Sequence, residues 1–227
     1  MKDNLLVRFL IVLGVYLGLV FFGGEVGQTI LYPIRLLVTF LHELGHALGA
    51  LITGGNVLAL QINDDGSGWT KTSGGSLGII LMGGYLGSAL LGNALFYIGT
   101  MGGKMAKGTL FVLIGFMIFA GIIWFNSFWT TGFLIAFSVV LGFLTIKTNF
   151  HREILMFLGL ATILYIIQDF NVGPMSDLQK YAELLVFIPV NVWMYIWLFV
   201  ALFFTVLNIY VILKMSRRRN KTQNFPA

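Results

Sequence analysis

The sequence predicts an all-α polytopic membrane protein of about six or seven transmembrane helices, with one small β-hairpin inserted after the second. Three observations carry this reading. Hydrophobic residues fill 58% of the 227 positions and charged residues 10%, against about 45–50% and 25% in soluble domains. Apolar stretches at 5–22, 34–53, 76–99, 109–125, 130–146, 153–168 and 190–213 each approach the ~17–25 residues that a helix needs to cross the hydrocarbon. The connections between them are too short to fold as a second body, so residues 1–227 read as a single integral membrane domain.

The first stretch, bracketed by Lys2 and Arg8, lacks a small-x-small cleavage pattern before Gly23-Gly24 and reads as a retained helix. The block 34–99 reads as a second helix, a hairpin and a glycine-rich helix. Between these two helices Leu58, Leu60 and Ile62 alternate with Ala59, Gln61 and Asn63, the period of a strand, and Asp64-Asp65-Gly66-Ser67-Gly68 supplies turn chemistry before a return strand ending near Thr72. Gly83, Gly84, Gly87, Ser88 and Gly92 then form a small-residue stripe that admits a neighbouring helix backbone. Within 109–189, the stretches 130–146 and 153–168 are short enough to stop inside the protein, and Ser176 opens a short surface helix that Pro189 ends. The block 190–227 is a last helix and the basic tail KMSRRRNK.

Lys and Arg accumulate on the cytoplasmic side of membrane proteins. Seven crossings with the C-terminus inside put ten of the fourteen basic residues there, among them Arg35, Lys104, Lys147, Arg152 and Arg217 to Arg219. This predicts a multi-pass protein with a cytoplasmic C-terminus and an external N-terminus. The net charge of +5 sits in short loop clusters and the tail, which argues against nucleic acid as a partner and for the lipid bilayer. With no cysteine, disulfides, thiolate metal sites and a thiol nucleophile are excluded.

Chemistry concentrates in the second stretch, LLVTFLHELGHALGALITGG. Ionisable groups in a membrane helix cost several kcal/mol unless paired, hydrated or metal-bound, so His42, Glu43 and His46 mark a functional site. His42 and His46 lie one helical turn apart and offer two imidazole nitrogens to one Zn²⁺, while Glu43 is placed to serve as general base. A catalytic zinc takes a third protein ligand. Asp169, which ends ILYIIQD, and Asp177, which opens the surface helix, are the two candidates; Glu25, Glu153 and His151 fall on the other side of the expected topology, His151 as an interfacial residue beside Arg152. Asp64 and Asp65 read as turn residues. The hairpin edge at Leu58, Leu60 and Ile62 is the candidate surface for an extended substrate segment, held by strand addition.

These residues carry a resemblance. HELGHAL in a membrane helix, then TGG, a strand ending in DGSG, a Thr and Gly segment and GGYLGS resemble the compact branch of the site-2-protease-like intramembrane zinc metallopeptidases. LYIIQD at 164–169 and SDLQKYAE at 176–183 extend the likeness over most of the chain. It implies zinc-dependent hydrolysis of peptide bonds in transmembrane or membrane-proximal protein substrates. One departure is NVGPMSD, shorter than the Asn, Pro and Leu-Asp-Gly pattern of better-known members, which leaves Asp169 and Asp177 both open as third ligand. The competing class is a non-catalytic membrane client-binding protein or transporter with a polar or zinc-binding site. The intact Glu43 speaks against it, and so does the lack of an inverted repeat.

Overall fold

A computed structural model describes residues 5–168, 176–185 and 187–224. The elements in chain order are α1 (Leu5–Phe22), α2 (Gly24–Ile52), β1 (Asn56–Ile62), β2 (Gly68–Ser73), α3 (Leu77–Met82), a π-helical turn (Gly83–Gly87), α4 (Ser88–Met101), α5 (Gly103–Ile123), α6 (Phe128–Lys147), α7 (His151–Gln168), α8 (Asp177–Leu184) and α9 (Val190–Asn224). Among the described residues the fold is helical apart from one antiparallel two-stranded sheet and the connecting turns.

Among the described residues six helical segments are long and apolar enough to cross a membrane: α1, α2, the run from α3 through α4, α5, α6 and α9. α7 is a further apolar helix packed inside the bundle, with Met156, Gly159 and Thr162 against α4. α2 is the central helix. In its most apolar window 72% of residues are buried, against 22% for α1 and 17% for α9, whose remaining side chains are left to face lipid. α2 also begins ten residues earlier than its apolar run suggested, because Glu25, Gln28 and Thr29 interrupt the hydrophobicity without breaking the helix and Pro33 is tolerated inside it.

Glycine sets the closest packing. A Cβ on Gly45 would fall on the Gly83 carbonyl, and one on Gly49 would meet the Ile79 carbonyl oxygen at 2.8 Å, so α2 and the segment Leu77–Gly87 lie backbone on backbone. Without a hydrophobic drive between helices in lipid, such contact supplies the dispersion that associates them. Gly92 does the same toward Thr162 and Gly159 of α7. The small-residue stripe thus serves two neighbours, α2 at its start and α7 further on.

β1 and β2 pair from Asn56 opposite Ser73 to Ile62 opposite Gly68, with an irregularity at Leu58. Leu60 and Ile62 point into the main core with Leu37, Phe40 and Leu41 of α2 and Leu134 of α6. A second cluster brings Val38 of α2, Tyr85, Ile166 of α7, Leu178 and Tyr181 of α8 and Trp197 of α9 together. It anchors α8 beside α2: Leu178 is fully buried, and the Tyr181 ring packs edge-on at 4.9 Å from that of Trp193.

One expectation of placement fails. Arg8 in α1 forms an ion pair with Glu153 in the first turn of α7, which sets the first turns of α1 and α7 at one end of the bundle. The external N-terminus expected opposite the 147–152 loop does not fit this pairing, since loop charges alone do not report which helices lie side by side.

Candidate metal centre

The site is built on one face of α2. His42 and His46 turn their Nε2 atoms toward each other at 3.1 Å. Asp177, the first residue of α8, enters from the opposite side, and its Oδ2 lies 3.0 Å from each of those nitrogens. Ser176 caps α8 by accepting from the Gln179 N–H, and the burial of Leu178 fixes the first turn, so the Asp177 carboxylate is held at the histidines. Burial alone would raise the Asp177 carboxyl; hydrogen bonding with His42 and His46, and the charge these rings carry when protonated, outweigh it and hold the carboxyl well below the usual carboxylate range.

The donor set fits a tetrahedral zinc. With metal–ligand distances of about 2.0–2.1 Å, neighbouring ligand atoms lie roughly 3.3 Å apart, close to the 3.0–3.1 Å found among these three atoms. The orientation is fixed from outside as well: His46 Nδ1 lies 2.6 Å from the Ile80 carbonyl oxygen, which leaves Nε2 as the nitrogen available to a metal. Gly84 keeps the space open, since a Cβ there would stand 2.6 Å from both His42 Nε2 and His46 Nε2. A π-helical turn at Gly83–Gly87 carries this glycine to the histidines, in keeping with the association of π-bulges with functional sites.

Glu43 is buried, 3% exposed. Thr70 of β2 donates to its Oε2 at 2.7 Å and lies within 3.0 Å of its backbone carbonyl. This threonine ties the hairpin to the carboxylate. A cavity of about 130 Å³ opens over His42 and Glu43, bounded by Val38, Thr39, Gly68 and Tyr165. The Tyr85 ring packs edge-on against His42 at 4.8 Å.

The structure separates the predicted site residues. His42, His46 and Asp177 come together, with Glu43 beside them. Asp169 lies outside the described residues. Glu153 pairs with Arg8, Glu25 is exposed at the start of α2, and the turn residues Asp64 and Asp65 offer backbone carbonyls to Tyr32 and Arg35. His151 and Arg152 are buried at the start of α7, hydrogen-bonded to the carbonyls of Thr145, Gly99 and Thr100.

The hairpin edge needs a correction. Leu60 donates its N–H to the Trp124 carbonyl, and Ile62 exchanges hydrogen bonds with the Thr130 hydroxyl, so the outer edge of β1 is occupied at these positions. Their side chains are in the core and only Leu58 is exposed. Since the N–H groups of Leu60 and Ile62 point away from β2, their cross-strand partners Thr70 and Gly68 occupy sites whose backbone groups point outward from the hairpin. The open edge is that of β2, beside Glu43. Alternation in the sequence identified a strand; it does not say which strand of a hairpin the bundle covers. Thr70, Gly84 and Ile80 had no individual signal, because their roles depend on contacts across the fold.

The Peptidase M50B-like family model matches residues 7–208. Comparison with curated proteins and with solved structures gives no match. With the family match spanning nearly nine-tenths of the chain, the protein belongs to the Peptidase M50B-like family, within the site-2-protease group of membrane metallopeptidases.

Proposed function

We propose that this chain is a zinc-dependent intramembrane endopeptidase in which His42, His46 and Asp177 hold the metal and Glu43 is the general base. The observation that carries it is the convergence of two imidazole nitrogens and one carboxylate oxygen, each pair 3.0–3.1 Å apart, next to a buried glutamate. Zinc bound by these residues supplies Lewis acidity toward a carbonyl and lowers the pKa of water. Glu43 takes the proton from the attacking water and returns it to the leaving amine. Thr70 donates to Glu43 Oε2, which leaves Oε1 free to receive that proton. The outward backbone groups of Gly68 and Thr70 hold an unwound stretch of substrate as an added strand beside the base. A transmembrane helix hides its peptide bonds in i to i−4 hydrogen bonds, and pairing with β2 stabilises the opened segment.

The test is metal content and turnover in purified full-length protein. About one zinc per chain is expected in wild type and in Glu43→Gln, and none in His46→Ala or Asp177→Ala. Glu43→Gln is expected to lose cleavage of transmembrane peptides altogether. Zinc retained in Asp177→Ala but lost in Asp169→Ala would reassign the third ligand, and wild-type turnover by Glu43→Gln would remove the base.

A further inference from the structure

A second cavity of about 630 Å³ lies between α1, α2 and α7, within the roughly 300–1,000 Å³ of ligand pockets. Val38 and Tyr165 form part of its wall and also part of the wall of the cavity over His42 and Glu43, so the two spaces adjoin. The larger one is apolar toward Leu19, Val20 and Ile34, and polar at Gln28, Thr29 and Arg35.

Arg35 is the unusual member. It is a cation on the wall of this cleft, carried by α2. Its Nη2 donates to the Asp65 carbonyl oxygen at 2.7 Å, and its Nε is buried without an acceptor among the described residues. The Asp65 carboxylate does not close this gap, because it accepts from the Ser67 N–H and hydroxyl instead. Among the described residues no carboxylate stands within ion-pair distance of Arg35.

Two measures give its distance from the chemistry. Arg35 and His42 lie seven residues apart on one face of α2, about 10 Å at 1.5 Å per residue. Alongside, the hairpin runs from Gly66, whose Cβ position would meet Arg35 Nε at 2.7 Å, to Thr70 at Glu43. That is four residues at about 3.3 Å each, about 13 Å. An extended peptide on the β2 edge therefore spans from the reacting carbonyl to Arg35 in about three or four residues.

The geometry points to the α1–α2–α7 cleft as the route by which substrate reaches the site, with Arg35 as a specificity residue that binds an acidic side chain about three or four residues from the scissile bond. This rests on the peptidase reading above. The shared wall with the catalytic cavity favours a peptide carboxylate over a lipid phosphate as the anion.

The experiment gives zinc-loaded full-length protein in detergent a set of transmembrane peptides carrying Glu, Gln or Lys at successive positions, with cleaved bonds read by mass spectrometry. Binding of the same peptides to Glu43→Gln is followed by fluorescence anisotropy. Cleavage is expected three or four residues from Glu, with a preference over Gln of about tenfold or more, the size of a charge-assisted hydrogen bond. Arg35→Glu is expected to shift the preference to Lys, and Arg35→Lys to retain Glu; zinc content reports whether either variant is folded. Equal cleavage of the three series by wild type, which requires no variant, would overturn the role of Arg35 and leave the peptidase reading intact. Charge-dependent binding to Glu43→Gln with no cleavage by wild type would remove the peptidase reading and keep the cleft as a client-binding site. Binding indifferent to peptide charge but displaced by anionic and not zwitterionic lipid would assign the cleft to a headgroup and overturn the proposal.

Discussion

Thr70 makes a strong test of how the hairpin serves Glu43, the proposed base, since its hydroxyl is the hydrogen-bond donor to Glu43 Oε2. Thr70→Val keeps the shape and removes that donor. A hydrogen bond to a charged group is worth about 1.5–3 kcal/mol, so cleavage is expected to fall roughly 10- to 100-fold with zinc content unchanged, and Thr70→Ser is expected to restore most of it. A second residue-scale prediction concerns Asp65 in the hairpin turn. Hydrogen bonds from the Ser67 hydroxyl and N–H, and more weakly the Arg35 charge, lower its pKa from the ordinary 3.8. A depressed folded-state value means that the turn's contribution to stability is present above that ordinary value and is lost as pH falls through the folded one. Carboxyl ¹³C titration is expected to show this, with Ser67→Ala moving Asp65 back up. His42, Glu43 and His46 were legible in the sequence because helical spacing alone puts them on adjoining positions. The place of Asp177 beside them was not, because it depends on Leu178 being buried, a tertiary fact.

At the scale of elements, the α2 pairing with Leu77–Gly87 decides whether the site exists. Gly84→Ala puts a methyl at the two imidazole nitrogens, and zinc is expected to be lost while the helices still assemble. Gly45→Ala has a different outcome. Its methyl would meet the Gly83 carbonyl, which is backbone and has no flexible end to yield. Overpacking of this kind costs about 1–3 kcal/mol or more, read as a lower unfolding temperature together with zinc loss. The sequence announced both helices and the glycine stripe through hydropathy and spacing. It did not announce the π-helical turn, since a single wider turn leaves no periodic trace in five residues, nor the ten extra residues at the start of α2, where polar side chains mask a continuing helix. The hairpin was visible from alternation and turn chemistry, and the side of it left open was not.

Across the whole molecule, polar contacts fix which apolar helices are neighbours. Asn208 of α9 donates to Asn93 of α4 at 2.8 Å within the buried interior, and Arg8 meets Glu153. Reversing one charge, as in Arg8→Glu or Glu153→Arg, is expected to destabilise the protein, and reversing both to restore about 1–2 kcal/mol of that loss in a double-mutant cycle. Additive losses would mean that α1 and α7 do not depend on this pair. Such partnerships join residues more than a hundred positions apart, which is why hydropathy located the helices without arranging them. The same separation bears on the three proposed ligand residues. Asp177 stands 131 residues from His46 along the chain, so an ion shared by them also acts as a removable cross-link closing one very long loop. Chain-entropy reasoning for a covalent tie of that span gives up to about 5 kcal/mol, and less where the helices remain embedded after they separate. Chelation would therefore release a tether as well as stop chemistry: α8 would become open to added protease in wild type, while Asp177→Ala, already untethered, would be cut equally with or without the chelator.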